Sequence, residues 1–295
     1  MRVRVVLLAL IGALAVTSPL LAQSTEHTLY VSVVDAKGRP VTGLDVPDFV
    51  VKEDGVSREV LRAGRTADPI DLAVIVDNSQ ALQPYVNDVR TALTAFVTRM
   101  ADRQSATVAI YGMADRPTVL QDYTESAALL QKAVSRVFPQ PGAGTVFQDT
   151  VAEAAKSLVT RGNPRRALVL VTTESRDFSN LPYERTLDLL RGSGAALHVL
   201  QIAPRGGAPL TDQQARDRAY VIDAGPRITG GSRQDLLTSM SLGGALTRVA
   251  EDLASQYKVV YSRPGELIPP KTVTVSVKHP DVTARGTLVR SRTGA

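Results

Sequence analysis

Residues 71–81 read DLAVIVDNSQA. Leu72 to Val76 are apolar without a break, and an aspartate stands at each end. A strand with one wet face alternates apolar and polar residues. A short unbroken run bounded by polar residues marks a strand buried on both faces, as parallel strands are. Asp77 then falls just past the carboxyl end of such a strand, where ligands sit in open α/β sheets. Ser79 follows two residues later, and Ala81 two further on.

The pattern repeats outward from this strand. Val86, Val89, Leu93, Phe96, Val97 and Met100 fall at helical spacing. Thr107–Tyr111 is a strand; Leu130, Ala133, Val134 and Val137 mark a helix, and Val151, Ala154, Ala155, Leu158 and Val159 another. ALVLVT (167–172) and ALHVLQI (196–202) are two more buried strands, with a polar helix near 183–191 between them. Thr211–Gln214 has the form of a capping box opening a further helix. Leu246, Val249, Ala250, Leu253 and Tyr257 close the series. Strand–helix alternation predicts right-handed crossovers and a doubly wound, mainly parallel α/β sheet with helices on both faces, Rossmann-like in plan.

Two β-rich segments flank this 70–256 unit. In residues 27–65, Leu29, Val31 and Val33 alternate with their neighbours, Asp35–Pro40 is a turn cluster, and Glu53-Asp54-Gly55 signals a hairpin. Residues 257–291 return to β structure through KVVY (258–261), TVTVSVK (272–278) and Val282–Val289. They are expected to join either the sheet or the N-terminal segment.

Residues 1–22 carry Arg2 and Arg4, an apolar run from Val5 to Val16, a break at Ser18-Pro19 and a small residue, Ala22. That is the pattern of a cleaved signal peptide, and the run is short of the ~20 residues a membrane helix needs. It predicts an exported chain, periplasmic or secreted, without a membrane span once the signal is removed. Without residues 1–22 the chain has 32 basic and 29 acidic residues, mixed along its length, so nucleic acid is not an expected partner. With no cysteine, stability must come from packing.

Catalytic patterns are missing. His27, His198 and His279 belong to separate elements, and none pairs with a motif serine. There is no nucleophile elbow, phosphate-loop lysine or zinc spacing. A non-enzymatic role is expected.

The succession of motifs resembles von Willebrand factor type A (VWA) domain proteins, and within them the secreted bacterial VWFA-related group. The resemblance is carried by VSVVDAKGRPVTGLDVPDFVVKEDG, AVIVDNS, GAGTVFQDTVAEA, RRALVLVTTESRD, SQYKVVYSRPG and VTVSVKHPDVTARGTL, across residues 27–290. It implies a metal-ion-dependent adhesion site of the form Asp-x-Ser-x-Ser, a loop threonine and a later aspartate. Asp77, Ser79 and Thr145 match; Ala81 and Thr173 depart, with Glu174 and Asp177 nearby. The implied site is degenerate, with Asp77, Ser79 and Thr145 as remaining ligands for Mg²⁺ or Mn²⁺. The alternative is that Asp77 and Ser79 cap the turn and first helix, that Thr145 serves as a turn or helix-start residue, and that Asp149 supports the first turn of its helix. The resemblance further implies protein binding or adhesion by the rim formed of Asp77, Ser79, Ala81, Thr145, Thr173 and Glu174. A structural or assembly role in the cell envelope with an inert rim is the second reading, and a hydrolase the third.

Overall fold

The computed structural model describes residues 24–103, 105–203, 212–265 and 268–290. The expected signal segment, residues 1–22, and Thr211 lie outside them.

The strands are β1 (Ser24–Asp35), β2 (Phe49–Glu53), β3 (Val56–Arg58), β4 (Val60–Arg65), β5 (Ile70–Asp77), β6 (Ala106–Met113), β7 (Pro117–Thr124), β8 (Arg166–Thr172), β9 (Ala195–Ile202), β10 (Ser232–Leu236), β11 (Tyr257–Pro264), β12 (Val273–Val277) and β13 (Val282–Leu288). The helices are α1 (Val86–Arg103), α2 (Ala127–Ser135), α3 (Phe147–Arg161), α4 (Tyr183–Ser193), α5 (Gln213–Thr229) and α6 (Leu242–Ala254). None of the described helices is long and apolar enough to cross a membrane.

The central sheet runs β10-β9-β8-β5-β6-β7. Its pairs are parallel except β6–β7, which is antiparallel. β5 lies inside the sheet, and its residues alternate between two cores as a pleated strand requires. Leu72, Val74 and Val76 pack with α1, α2 and α6 on one face. Ala73 and Ile75 pack with α3, α4 and α5 on the other. The unbroken run at 72–76 is thus two half-cores interleaved.

β7 has no counterpart among the strands read from sequence. It is an antiparallel edge strand, half-exposed along most of its length, so it lacks the apolar run that marks its neighbours. The start of α5 also differs from the capping box at Thr211. Asp212 is the N-cap, its carboxylate accepting the Ala215 N–H at 2.8 Å.

The C-terminal strands pair with the N-terminal ones and not with the central sheet. They form an antiparallel sheet β13-β1-β11-β4 and a smaller one, β12-β2-β3. The two share a core that includes Leu29, Val31, Phe49, Val51, Tyr257 and Tyr261. The β2–β3 turn uses Asp54 and Gly55, both with positive φ, as a tight hairpin demands. The chain crosses between the two parts twice. β4 leads into β5 over four residues and α6 into β11 over two, and the crossings touch where Thr66 N–H donates to Gln256 O at 3.0 Å. Arg165, at the start of β8, is buried among them, donating to Gln256 Oε1, Asp68 O and Leu253 O. The β sandwich therefore sits at the strand-start end of the sheet, and the opposite, strand-end rim is left clear.

His198, on β9, is buried and its Nδ1 lies 2.8 Å from Ser232 Oγ. Burial pushes its pKa down to about 4, with nearby Asp252 opposing and Arg285 adding to the shift. The folded value lies below the unfolded value near 6.5, so on acidification the unfolded chain takes this proton first. Stability tied to neutral His198 is complete above about pH 6.5 and is lost as pH falls toward 4. The expected loss is about 3 kcal/mol, read as a fall in urea midpoint, and a His198→Asn variant should flatten that part of the profile.

Candidate functional site

The strand-end rim is built from the loops after β5, α2 and β8. Gln80 N–H donates to Ala143 O at 3.1 Å, and Gln140 N–H donates to Asn78 O at 2.9 Å. Gly142 N–H reaches Gln80 Oε1 at 2.8 Å. These bonds tie the loop after α2 to the turn after β5. The loop after β8 then crosses beneath Gly144, where a Cβ would stand 2.5 Å from the Phe178 ring and 2.6 Å from Arg176 O. Only glycine permits that crossing.

Asp77 is buried at the centre. Its Oδ1 accepts the Ser79 N–H at 3.0 Å. Its Oδ2 accepts the Thr173 N–H at 3.1 Å, the Thr173 hydroxyl at 2.7 Å and, more weakly, the Thr172 hydroxyl at 3.5 Å. The capping reading of Asp77 holds for the turn, through Ser79 N–H. It fails for Ser79, which stands at the start of the short turn of helix 80–85 without a side-chain cap. The Ser79 hydroxyl is buried and has no partner among the described residues.

Thr145 is also buried and does not start α3. Its N–H and hydroxyl both donate to Arg176 O, at 2.8 and 3.1 Å, and its hydroxyl accepts from Ser175 Oγ at 3.3 Å. The start of α3 is held instead from the loop after β8. Asp177 accepts the Phe147 N–H at 3.0 Å, and Ser179 Oγ accepts the Gln148 N–H at 2.8 Å. Burial raises the Asp177 pKa against the opposing pull of the Ser179 hydroxyl, which donates to it at 2.7 Å, of the Phe147 N–H and of Arg218. Asp149 lies in the first turn of α3 and also accepts the Asn180 N–H at 2.9 Å.

The residue that sequence reasoning missed is Arg218, on α5. It is buried, and its guanidinium comes up beneath the rim. Nη1 donates to Ser175 O at 2.8 Å and Ser175 Oγ at 3.1 Å. Nη2 donates to Thr172 Oγ1 and Thr173 O, and stands 3.8 Å from Asp77 Oδ2. The face of Phe147 lies 5.3 Å away. A signal was present: Arg218, Val221, Ile222 and Gly225 share the inward stripe of α5 at spacings of three and four. An arginine on that stripe is a cation aimed at the interior.

This donor set does not fit a resident Mg²⁺ or Mn²⁺. It offers one carboxylate, and that carboxylate already accepts bonds at both oxygens. Among the described residues no three His, Asp or Glu side chains are placed to share an ion. An ion bound to Asp77 would stand within about 6 Å of the guanidinium, a repulsion on the order of 5 kcal/mol at an effective dielectric of about 20.

Asp77, Ser79, Thr145 and Thr173 thus form a buried polar floor. Ala81 and Glu174 are half-buried at its edge. The loops at this end of the sheet expose large apolar side chains: Phe138 and Phe178 are more than half exposed, and Leu237 and Met240, just past β10, more than four-fifths. The histidines lie elsewhere: His27 is 3.2 Å from Thr25 Oγ1 in β1, His279 is 3.2 Å from Asp48, and His198 is in the core.

The chain is a doubly wound α/β sheet with a cluster of buried polar side chains at the carboxyl end of β5 and a β sandwich at the opposite end. Residues 72–175, within the α/β part of the chain, match the von Willebrand factor type A domain family. Among solved structures, proximal thread matrix protein 1 of the mussel byssus, with a zinc-occupied MIDAS motif, is 15% identical with a TM-score of 0.51. The match covers 68% of this chain and 49% of that one, so this chain spans about half the length of the mussel protein. A von Willebrand factor type A protein from Catenulispora acidiphila is 12% identical over 92% of this chain and 76% of that one, with a TM-score of 0.49. The vWF domain of the type V pilus tip protein Mfa5 from Porphyromonas gingivalis is 12% identical over 63% of this chain and 95% of that one, with a TM-score of 0.47. No curated protein matches the chain.

Proposed function

We propose that this chain is an exported, non-catalytic binding protein that presents its strand-end rim to a protein partner. The observation that carries the reading is the set of exposed apolar side chains, Phe138, Phe178, Leu237 and Met240, on strand-end loops that are otherwise tied down. Solvent gains nothing from such residues, whereas a partner that buries them gains about 25 cal/mol per Å² of apolar surface. Phe138 is also held in place, with the Arg90 guanidinium stacked 3.9 Å above its ring. An aromatic anchor fixed before binding loses little entropy on contact.

Export rests on the signal-like residues 1–22. Adhesion is the form of binding that the family and the pilus-tip and byssal proteins named above suggest. The partner would meet the rim with an apolar patch of its own, since the polar floor lies out of reach.

The test is direct. Residues 23–295 and a Phe138→Ser/Phe178→Ser variant are used to capture partners from the native exported fraction. Each captured protein is then purified and titrated against both. Both side chains are exposed, so the variant should melt as the parent does while affinity falls about ten-fold or more. A purified partner that binds both proteins equally well removes the rim from the interaction and moves the search to the β sandwich.

A further inference from the structure

We infer that the guanidinium of Arg218 is the resident cation of this rim, so that Asp77 is neutralised from inside the protein and the rim works without a divalent ion. The inference deepens the proposed binding role and rests on it only for its consequence, since the charge arrangement is testable with no partner at all.

Four observations meet at one point. Arg218 is buried and brings a full positive charge to 3.8 Å from the Asp77 carboxylate. Its two terminal nitrogens are spent on Thr172, Thr173 and Ser175, the residues that end β8 and begin the next loop. Position 173, where the family pattern calls for a second carboxylate, holds a threonine whose hydroxyl donates to Asp77 at 2.7 Å. Position 81, where the pattern calls for a hydroxyl, holds alanine.

The four observations are consistent with one another. A divalent ion needs more than one negative ligand and an open position for water or partner. A guanidinium needs one carboxylate, several carbonyl and hydroxyl acceptors in its plane, and no open position. The acceptors present serve both terminal nitrogens of Arg218, as in the second case, while its Nε–H is buried without a partner among the described residues. Asp177 and Glu174 add negative charge near the guanidinium, which lowers the cost of burying it.

Consequences follow for the rim. An internal cation cannot be chelated, is not exchanged with solvent, and is screened little by salt. It offers a partner carboxylate no vacant coordination site. Recognition therefore passes to the apolar side chains above the floor.

The experiment is a Mn²⁺ and Mg²⁺ titration of residues 23–295, followed by calorimetry and by melting temperature with and without EDTA. The expected result is no saturable heat and one melting temperature under all conditions; an ion present at a hundred times its dissociation constant would raise it by several degrees. Saturable binding in the wild type that disappears in Asp77→Ala overturns the inference. A second arm restores the missing ligands as Ala81→Ser/Thr173→Asp, once with Arg218 kept and once with Arg218→Met. Mn²⁺ should bind at least about ten-fold more tightly when Arg218 is gone, as removal of a neighbouring positive charge requires. Equal affinity in the two backgrounds, or none in either, would mean that Arg218 is not what takes the place of the ion. If the restored variants do not fold, the wild-type titration decides alone. Partner binding enters neither arm, so the failure of one reading leaves the other standing.

Discussion

Arg218→Met is expected to lower the stability of the fold by about 3–5 kcal/mol, the range for removing one partner of a buried ion pair. Methionine replaces the stem of the side chain with little change in volume, so the cavity term is small. What is lost is the charge and the hydrogen bonds. Asp77 would keep the bonds from Ser79 and Thr173 but lose the only cation that faces it among the described residues. The Ser175 and Thr173 carbonyls would lose their guanidinium donor at the point where β8 gives way to its loop. Urea unfolding of the variant reads the loss as a lower midpoint with an unchanged slope. Adding Asp77→Asn to Arg218→Met should recover part of it, because the buried negative charge is then gone too. A cycle with no coupling between positions 77 and 218 would show that the pair contributes nothing as a pair.

Gly231→Ala is expected to be worse. Gly230 and Gly231 let α5 turn directly into β10. Gly230 takes a left-handed conformation to close the helix, its position at the C-terminus leaving the Gly231 N–H to donate to Pro226 O at 2.9 Å. A Cβ on Gly231 would stand 1.9 Å from the Leu197 carbonyl oxygen and 2.4 Å from its carbon. Those are backbone atoms of β9, in the interior of the sheet, and they cannot swing aside as a side-chain end can. Either β10 separates from β9 or α5 shifts, at a cost above about 4 kcal/mol, a size reserved for a few drastic mechanisms. The expected observation is a protein that is insoluble or lacks a cooperative melt. Gly192→Ala is the matched control. That glycine lies in α4 with nothing within 4 Å of an added Cβ, so the substitution should raise stability by about 0.5–1 kcal/mol. If both variants melt alike, the close approach of β10 to β9 is not the constraint described.

Much of the α/β architecture was legible in the sequence because its signals are one-dimensional. The run at 72–76 and the stripe from Val86 to Met100 each depend only on spacing along the chain. β7 and β10 were not legible, since both are edge strands, half-exposed along their length, and carry no unbroken apolar run. The site was legible only at its centre. The position of Asp77 follows from the strand end, but what Asp77 does depends on a helix some 140 residues further along the chain. The same is true of α3, whose first turn is capped by Asp177 and Ser179 from another loop. Local rules had assigned that task to nearer residues. Arg218 was the recoverable part: an arginine in phase with Val221 and Ile222 has to find a partner indoors.

The topology of the β sandwich also bears on how the molecule would carry load. The α/β domain is an insertion between β4 and β11, with its two crossings hydrogen-bonded side by side. β1 and β13 run antiparallel in register from Leu29↔Leu288 to Asp35↔Val282, so the chain enters and leaves at one end of the sandwich. Tension applied through the two ends of the chain would open that pair rung by rung, like a zipper, and would reach the inserted domain only through the bonds of Arg285 and Thr287 to Gly231, Asp252 and Thr229. Tension applied from a partner on the rim would instead travel down the central sheet into the two crossings at its base. A pull on the two ends of the chain would thus load the β1–β13 pair before the central sheet.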